Sequence, residues 1–139
     1  MYRERDEGSP YLYSNMNRAA ATLNKDIIWT LQDDLVIDDH SLLILQLLHK
    51  SYPDTCMIAH LADTADPDWY QYPGSILPIK SYRQCGSMMW AGLSIPNWWW
   101  KEVEGADENF DGSMGWCDVD FGIRLLNAGC NIALVRGVC

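Results

Sequence analysis

The sequence predicts a single α/β domain with a partly parallel sheet. Short apolar runs of strand length alternate along the chain with longer segments of helical character, and this order is typical of α/β folds. The 139 residues are enough for one domain with a hydrophobic core. The composition, 48% hydrophobic and 21% charged, is that of an ordinary globular protein.

The first half of the chain predicts a helix, a strand and a second helix. "NMNRAAATLN" at 15–24 is rich in Ala and favours a helix, whereas "DIIWTL" at 26–31 is a short apolar run that favours a buried strand. "SLLILQLLHKS" at 41–51 predicts the second helix, and Asp39 or Ser41 is its expected cap. We therefore expect a strand, an acidic turn and a helix in succession.

The second half continues the alternation. The segment 63–78 contains three Pro and three Asp and is expected to be a long loop. The other predicted elements are a strand at 55–62, a strand running into a turn at 85–96, a short helix from 97, a helix at 117–129 that Gly129 ends, and a final strand from 131.

Charge and cysteine content exclude several classes of protein. The formal net charge of -9 disfavours a nucleic-acid-binding protein, because phosphate contacts need clustered Lys and Arg. The five cysteines include no C-x-x-C pair, so we expect buried thiols in a reducing compartment rather than a zinc site or a disulfide framework. The sequence predicts neither a signal peptide nor a transmembrane segment. The expected location is the cytoplasm, with attachment to the periphery of a membrane as the alternative.

Adjacent carboxylates follow the first predicted strand in "QDDLVIDDH". Ligands of open α/β sheets bind beyond the carboxyl ends of strands, which is where Asp33 and Asp34 stand. Two neighbouring carboxylates repel each other, and a divalent cation that relieves this repulsion can also hold phosphates. Asp38 and Asp39 are better suited to the start of the next helix, and a solvated turn is the alternative for all four.

The stretch "DENFDGSMGWCD", from Asp107 to Asp118, nearly spells the calcium loop of an EF-hand. Asp107, Asn109 and Asp111 would take the first three ligand positions. However, Asp118 stands where that loop has a bidentate Glu, and the chain has no second loop. In the alternative interpretation, Asp118 begins a helix beside Trp116, where it acts as a general base or only as a helix cap.

Three motifs follow one another in a familiar order. Asn17 precedes the Ala-rich stretch, "LQDD" follows the first strand, and "EVEGADENFDGSMGWCDVDFGIRLLNAGCNI" lies near the end of the chain. This order resembles the second half of GT-A glycosyltransferases of the family-2 type, which transfer a sugar from a nucleotide-sugar donor with inversion. The resemblance implies a partial GT-A (nucleotide-diphospho-sugar transferase) fold with a mixed sheet flanked by helices. It would be a single partial domain, with a metal and donor-phosphate part at about 12–62 and an acceptor and catalytic part at about 80–139.

The resemblance also implies roles for individual residues. "LQDD" would be the DXD-type motif, in which Asp33 contacts the ribose or the metal and Asp34 coordinates the Mn²⁺ or Mg²⁺ that bridges the donor diphosphate. The remaining implied site residues are Asp118 as the catalytic base, Trp116, Cys117 and Asp120 at the acceptor, and Asn17 near the nucleotide.

The implied partners are a UDP-, GDP- or dTDP-sugar as donor and a glycan, lipid or protein as acceptor. We expect the nucleoside-binding half of such a domain to be missing from these residues, so that activity would belong to a longer protein. Cys117 stands where the family has Glu, a departure that would change acceptor binding or lower activity. The alternatives are a catalytically inactive glycosyltransferase fragment and a calcium-binding module.

Two further features lead to expectations about packing. The three residues of "WWW", Trp98–Trp100, cannot all face one way on a helix, so at least one is expected to pack while another could stack on an acceptor sugar. His49 lies near the end of its helix, where we expect it to act as a cation or a hydrogen-bonding group.

Overall fold

The computed structural model describes residues 11–31, 37, 39–59, 76–79, 92–112 and 116–136, without the side chains of residues 77 and 79. These residues form a mixed five-stranded sheet, of order β1-β4-β2-β5-β3, with helices on both faces. The strands are β1 (Ile27–Trp29), β2 (Thr55–Ala59), β3 (Ile76–Ile79), β4 (Leu93–Pro96) and β5 (Asn131–Val135). The helices are α1 (Leu12–Thr22), α2 (Ser41–Ser51), α3 (Asn97–Glu102), a 3₁₀ turn (Glu108–Phe110) and α4 (Cys117–Asn127). The predicted α/β class, with a mixed sheet flanked by helices, is confirmed.

Three strands of the sheet point in the same direction. β2 and β5 are parallel, with Thr55 opposite Asn131 and Ala59 opposite Val135. β4 is antiparallel to both β1 and β2, so β1 runs in the direction of β2 and β5. The carboxyl ends of β1, β2 and β5 therefore share one edge of the sheet, which we call the carboxyl edge.

The prediction of a loop at 63–78 is wrong for its last three residues. Residues Ile76–Ile79 form β3, an edge strand that pairs antiparallel with β5 and sets Pro78 opposite Ala133. Proline lacks a backbone N–H and is therefore tolerated in sheets mainly on edge strands, which pair on one side only. The Pro-rich composition therefore misled the prediction. The rest of that segment lies outside the described residues.

Two hydrophobic clusters lie on opposite faces of the sheet. The large-face core packs α1, α3 and α4 against one face, with Trp100, Phe121 and Leu125 among its buried side chains. The small-face core packs α2 against the other face and consists of Leu45, Met57, Ala59 and Val135 with partly buried neighbours. Side chains of successive strand residues point to opposite faces, which is why Cys56 and Ile58 belong to the first cluster and Met57 to the second.

Helix α2 has the predicted bounds but not the predicted cap. His40, and neither Asp39 nor Ser41, occupies the N-cap position. The Oγ of Ser41 is buried without a partner among the described residues. Near the other end, the His49 Nε2 lies 2.7 Å from the Ser94 Oγ of β4. His49 is thus the expected hydrogen-bonding group but no helix-end cation, because burial lowers the pKa of its imidazole.

Helix α4 turns back directly into the sheet. Gly129 follows the C-cap residue with φ of +89°, a left-handed conformation that glycine adopts without a steric penalty, so its predicted role as terminator is confirmed. The Cys130 N–H then donates to the Leu125 carbonyl at 3.0 Å, and β5 begins at the next residue. This short connection makes α4 run back along β5.

The buried thiols and the tryptophans agree with two expectations from the sequence. Cys56, Cys117 and Cys130 are buried and free. Trp99 and Trp100 are buried, whereas the Trp98 ring is about half exposed and stacks on Trp99 with ring centroids 4.0 Å apart. In the described part of the chain, no helix has the length and apolar character needed to cross a bilayer.

Candidate functional site

The first turn of α4 lies toward the carboxyl edge of the sheet. Because α4 ends at the start of β5 and runs back along that strand, its N-terminus lies near the end at which β5 finishes. β1 points to the same edge, and its described continuation ends at Leu31. Asp33 and Asp34 follow immediately in sequence but lie outside the described residues. The strand directions therefore bring the described chain after β1, up to Leu31, and the first turn of α4 to the same edge.

Asp118 is a mostly buried carboxylate in the first turn of α4. Only 8% of the residue is exposed, and its Oδ1 accepts a hydrogen bond from the Val119 N–H at 2.9 Å. The N-cap position belongs to Trp116, so the interpretation of Asp118 as the N-cap residue is wrong. Free N–H groups at a helix start favour a negative charge there. Asp118 combines this setting with shielding from water.

The side chains of Trp116 and Cys117, at the start of α4, differ in exposure: the first faces solvent and the second is buried. Trp116 has φ of +68°, the left-handed region that bulky residues seldom adopt, and its side chain is 74% exposed. Strain of this kind is concentrated at binding and catalytic sites. Cys117 is buried, and its thiol donates to the Tyr13 hydroxyl of α1. The predicted acceptor-binding pair is therefore divided into an exposed indole and a thiol that packs inside.

Asp120 forms an ion pair with an arginine on its own helix. Its Oδ2 accepts from the Arg124 Nε at 2.8 Å, and the two residues are one helical turn apart. The Arg124 Nη1 also donates to the Gly105 carbonyl at 2.7 Å and to the Val103 carbonyl. Asp120 thereby orients an arginine that holds the turn after α3. Its implied contact with an acceptor stays a prediction.

Asn17 holds the same turn from the other side. Its Nδ2 donates to the Ala106 carbonyl at 2.8 Å and to the Glu108 Oε1 at 3.0 Å, and its Oδ1 accepts from the Ala106 N–H at 2.9 Å. Both ends of the amide are thus engaged by the protein. Asn17 joins α1 to the segment that precedes the motif, and its implied place near the nucleotide stays a prediction.

The sequence did not reveal the role of Tyr13 or the partners of Asp111, which it offered only as a calcium ligand. The Asp111 carboxylate accepts from the Tyr13 N–H at 2.7 Å, the Ser14 N–H at 3.2 Å and the Ser14 hydroxyl. Burial, then the hydrogen bond and charge of Cys117, raise the pKa of Tyr13 well above its usual value, so the phenol stays neutral. The partners are about a hundred residues apart in sequence, and no local pattern could have predicted them.

The carboxylates that match the EF-hand pattern in Asp107–Asp118 are bound by protein groups at separate places. Asp107 accepts from the Asn109 N–H and Nδ2 at 2.9 and 2.8 Å, which makes it the N-cap of the 3₁₀ turn. Asp111 is bound to α1 as described above, and Asp118 lies inside α4. An EF-hand needs these groups to converge on one ion. Their side chains are instead used by three different elements.

Two adjoining clefts lie beside the turn after α3. One has a volume of about 410 Å³ and the other about 420 Å³. They share Asn17, Glu104 and Glu108, and the second also reaches Asp120 and Arg124. Their polar lining combines carboxylates and amides with the cations Lys101 and Arg124.

The predicted metal ligands Asp33 and Asp34 lie outside the described residues. Within the described ranges, no three His, Cys, Asp or Glu side chains are grouped as ligands of one metal ion. Neighbouring carboxylates are nonetheless the ligand type that Mg²⁺ and Mn²⁺ prefer. No protein-family model matches the chain, and a search of curated proteins gives no match.

Proposed function

We propose that this chain is the metal-binding and catalytic part of an inverting glycosyltransferase that acts within a longer protein. It would transfer a sugar from a nucleotide-sugar donor, such as a UDP-, GDP- or dTDP-sugar, to a hydroxyl of a glycan, lipid or protein. The fold class is compatible with a partial domain of this type. The support for the GT-A identity is the motif resemblance of the sequence.

The observation that carries the proposal is the setting of Asp118. A mostly buried carboxylate starts a helix at the carboxyl edge of the sheet, next to an exposed indole in a strained conformation. Open α/β sheets bind their ligands at this edge. A base needs a fixed carboxylate within reach of the acceptor, and a rigid first helical turn provides the fixed position.

The reaction requires one proton transfer and one displacement. Asp118 would accept the proton of the acceptor hydroxyl while that oxygen attacks the anomeric carbon of the donor. The bond from the anomeric carbon to the diphosphate oxygen breaks, and its electron pair leaves with the nucleoside diphosphate. Attack opposite the leaving group inverts the anomeric configuration. A divalent cation held by Asp33 and Asp34 would offset the charge on the diphosphate.

Trp116 is the expected contact for the acceptor. Its indole is mostly exposed and lies two residues before the base. Aromatic faces pack against the apolar faces of sugar rings. Such packing would orient the acceptor hydroxyl and leave the Asp118 carboxylate available to accept its proton. Cys117 is buried, and its thiol donates to the Tyr13 hydroxyl instead of facing the acceptor side with Trp116.

The test uses the longest natural protein that contains this chain. Release of nucleoside diphosphate is measured with UDP-, GDP- and dTDP-sugars in the presence of Mn²⁺. Calorimetry measures the affinity for the donor. Asp118→Asn should lower kcat about 10²–10⁴-fold while leaving the donor Kd unchanged, because only the proton acceptor is lost.

Glu102→Gln is the matched control, since it makes the same acid-to-amide change at an exposed position of α3. The kcat of this variant should equal that of the unaltered protein. Undiminished turnover by Asp118→Asn would refute the assignment of the base. A protein that binds no nucleotide-sugar with Mn²⁺ would instead be the inactive fragment.

A further inference from the structure

The buried thiols of Cys56 and Cys130 contact each other in the large-face core. Cys56 belongs to β2, and Cys130 immediately precedes β5, the parallel neighbour of β2. Their Sγ atoms are 3.1 Å apart, which is closer than the about 3.5–4.0 Å at which nonbonded carbon atoms pack. The two residues are 74 positions apart in the sequence, so the fold itself creates this pair.

The strand register explains why the two side chains meet. Cys56 is paired with Ile132, and side chains two residues apart on a strand share a face. Cys130 therefore points to the same face as Ile132 and becomes the diagonal neighbour of Cys56. All three side chains belong to the large-face core.

We propose that Cys56 and Cys130 form an oxidation site at which a disulfide joins the start of β5 to β2. A disulfide bond is about 2.05 Å long, so the sulfur atoms need to approach by only about 1 Å. Cys130 lies outside the regular strand, between the end of α4 and β5, where the backbone can adjust without breaking the ladder. This inference is independent of the proposed glycosyl transfer.

The oxidant is a low-molecular-weight disulfide such as oxidised glutathione. The Cys130 thiol loses its proton and its sulfur attacks one glutathione sulfur, which releases a glutathione thiolate and leaves a mixed disulfide. The Cys56 sulfur then attacks the Cys130 sulfur, and the second glutathione leaves. Two protein thiols and one oxidised glutathione become one protein disulfide and two glutathione thiols. The two thiol protons end on the two glutathione molecules, so the step balances.

Burial sets the order and the speed of these steps. Cys56 is fully buried, and burial raises the pKa of its thiol, with smaller contributions in the same direction from the neighbouring Cys130. Cys56 is therefore a poor first nucleophile. Cys130 retains slight exposure at the turn after Gly129, so local opening of that turn admits the oxidant to Cys130 first.

The first measurement uses the unaltered protein. It is incubated with graded ratios of oxidised to reduced glutathione, quenched in acid, alkylated in denaturant and digested for mass spectrometry. We expect a crosslinked peptide that contains Cys56 and Cys130 and lacks two hydrogens relative to the reduced pair. Cys117 is the internal control, because it is equally buried but lies against the Tyr13 hydroxyl rather than a thiol. It should be recovered alkylated.

The second measurement is the thermal midpoint of unfolding in the two redox states. Closing a loop of 74 residues restricts the unfolded chain, so oxidation should raise the midpoint by about 10 °C. Cys130→Ser should abolish both the crosslink and the shift, whereas Cys117→Ser should keep both. Crosslinks from Cys56 to any other cysteine, or full alkylation of Cys56 and Cys130 in excess oxidised glutathione, would overturn the proposal.

Discussion

The two faces of the sheet are stabilised in different ways. On one face, α1, α3 and α4 bury a continuous core that includes Trp100, Phe121 and Leu125. On the other face, α2 is the one described helix that covers a small cluster around Leu45 and Met57. The same helix leaves other leucines exposed, among them Leu47 with 53% of its surface accessible. Among the described elements, three helices thus pack on the first face and one helix packs on the second.

The polar contacts divide in the same way. The large face carries hydrogen bonds that join distant parts of the chain, from Asn17 to Ala106 and from Tyr13 to Asp111. The small face carries the bond between His49 and Ser94. The candidate base lies on the face with the dense network. This difference suggests that the network keeps the first turn of α4 in place, since functional side chains require a rigid supporting shell.

The largest expected effect is that of Gly105→Ala on the large face. Gly105 has φ of +71°, and an added Cβ would lie 2.8 Å from the Trp100 Nε1 and still closer to the Asn17 Oδ1. Strain and overlap together should lower the free energy of unfolding by about 4 kcal/mol, measured by urea titration.

Gly112→Ala is the control for Gly105→Ala. Gly112 has φ of +74°, and an added Cβ would meet no atom of the described residues within 4 Å, so this change should lower the free energy of unfolding by only about 1–2 kcal/mol. Equal losses for the two variants would mean that the Asn17 and Trp100 side chains yield to the new methyl group. The turn would then be less rigid than the network implies.

A smaller effect is expected from Leu45→Ala on the small face. Leu45 is almost fully buried, so the loss of three carbons and the cavity left behind should lower the free energy of unfolding by about 3 kcal/mol. Leu47→Ala, two residues along the same helix, should change it by less than about 0.5 kcal/mol, because that side chain is mostly exposed. Urea titration of both variants measures the difference. If the two variants were equally destabilised, the Leu47 side chain would have to be buried in solution, which would contradict its exposure on α2.

The smallest expected effect on the small face is a pH dependence from His49. Burial lowers the pKa of this imidazole below its ordinary value of 6.5, so the folded state favours the neutral form. The unfolded chain binds the proton more readily, and stability should therefore fall as the pH drops below about 6.5. In the His49→Gln variant, the urea midpoint of unfolding should change less between pH 8 and pH 5 than in the unaltered protein. An unchanged slope in that variant would assign the effect to another group.

The large face should respond to acid at a lower pH. Desolvation opposes the charge of Asp111, but hydrogen bonds from the Ser14 hydroxyl and the Tyr13 and Ser14 N–H groups lower the pKa of its carboxyl below 3.8. This contribution is complete above the unfolded value and is lost as the pH falls below it. Urea midpoints from pH 5 to pH 2 should fall less steeply for Asp111→Asn than for the unaltered chain. Identical slopes would contradict a role for this carboxylate in tying α1 to the 3₁₀ turn.

Local patterns in the sequence were sufficient for most of the fold. The apolar run at 26–31 became β1, and the helix at 41–51 was predicted to its last residue. Gly129 ended α4 as expected, because a left-handed residue after a helix is a local requirement that glycine meets. β3 was missed because its edge position, which tolerates Pro78, follows from strand order and not from composition.

Within the candidate site, the sequence identified Asp118 and its helix but not their supports. The motif spacing predicted a carboxylate in the first turn of a helix beside Trp116, which is where the structure has it. The contacts of Asn17, Tyr13 and Asp111 were not foreseen. These hydrogen bonds join positions about 90–100 residues apart, and no periodicity records such pairs.

The sequence by itself determined the fold class, the order of strands and helices other than β3, and a carboxylate in the first turn of α4, because apolar period and glycine placement act over a few residues. Only the tertiary structure decided that the Cys56 and Cys130 thiols meet, that His49 turns to Ser94, and that Asp120 holds Arg124 against the turn after α3. The physical reason is strand order and register, which set the face and the neighbours of every side chain.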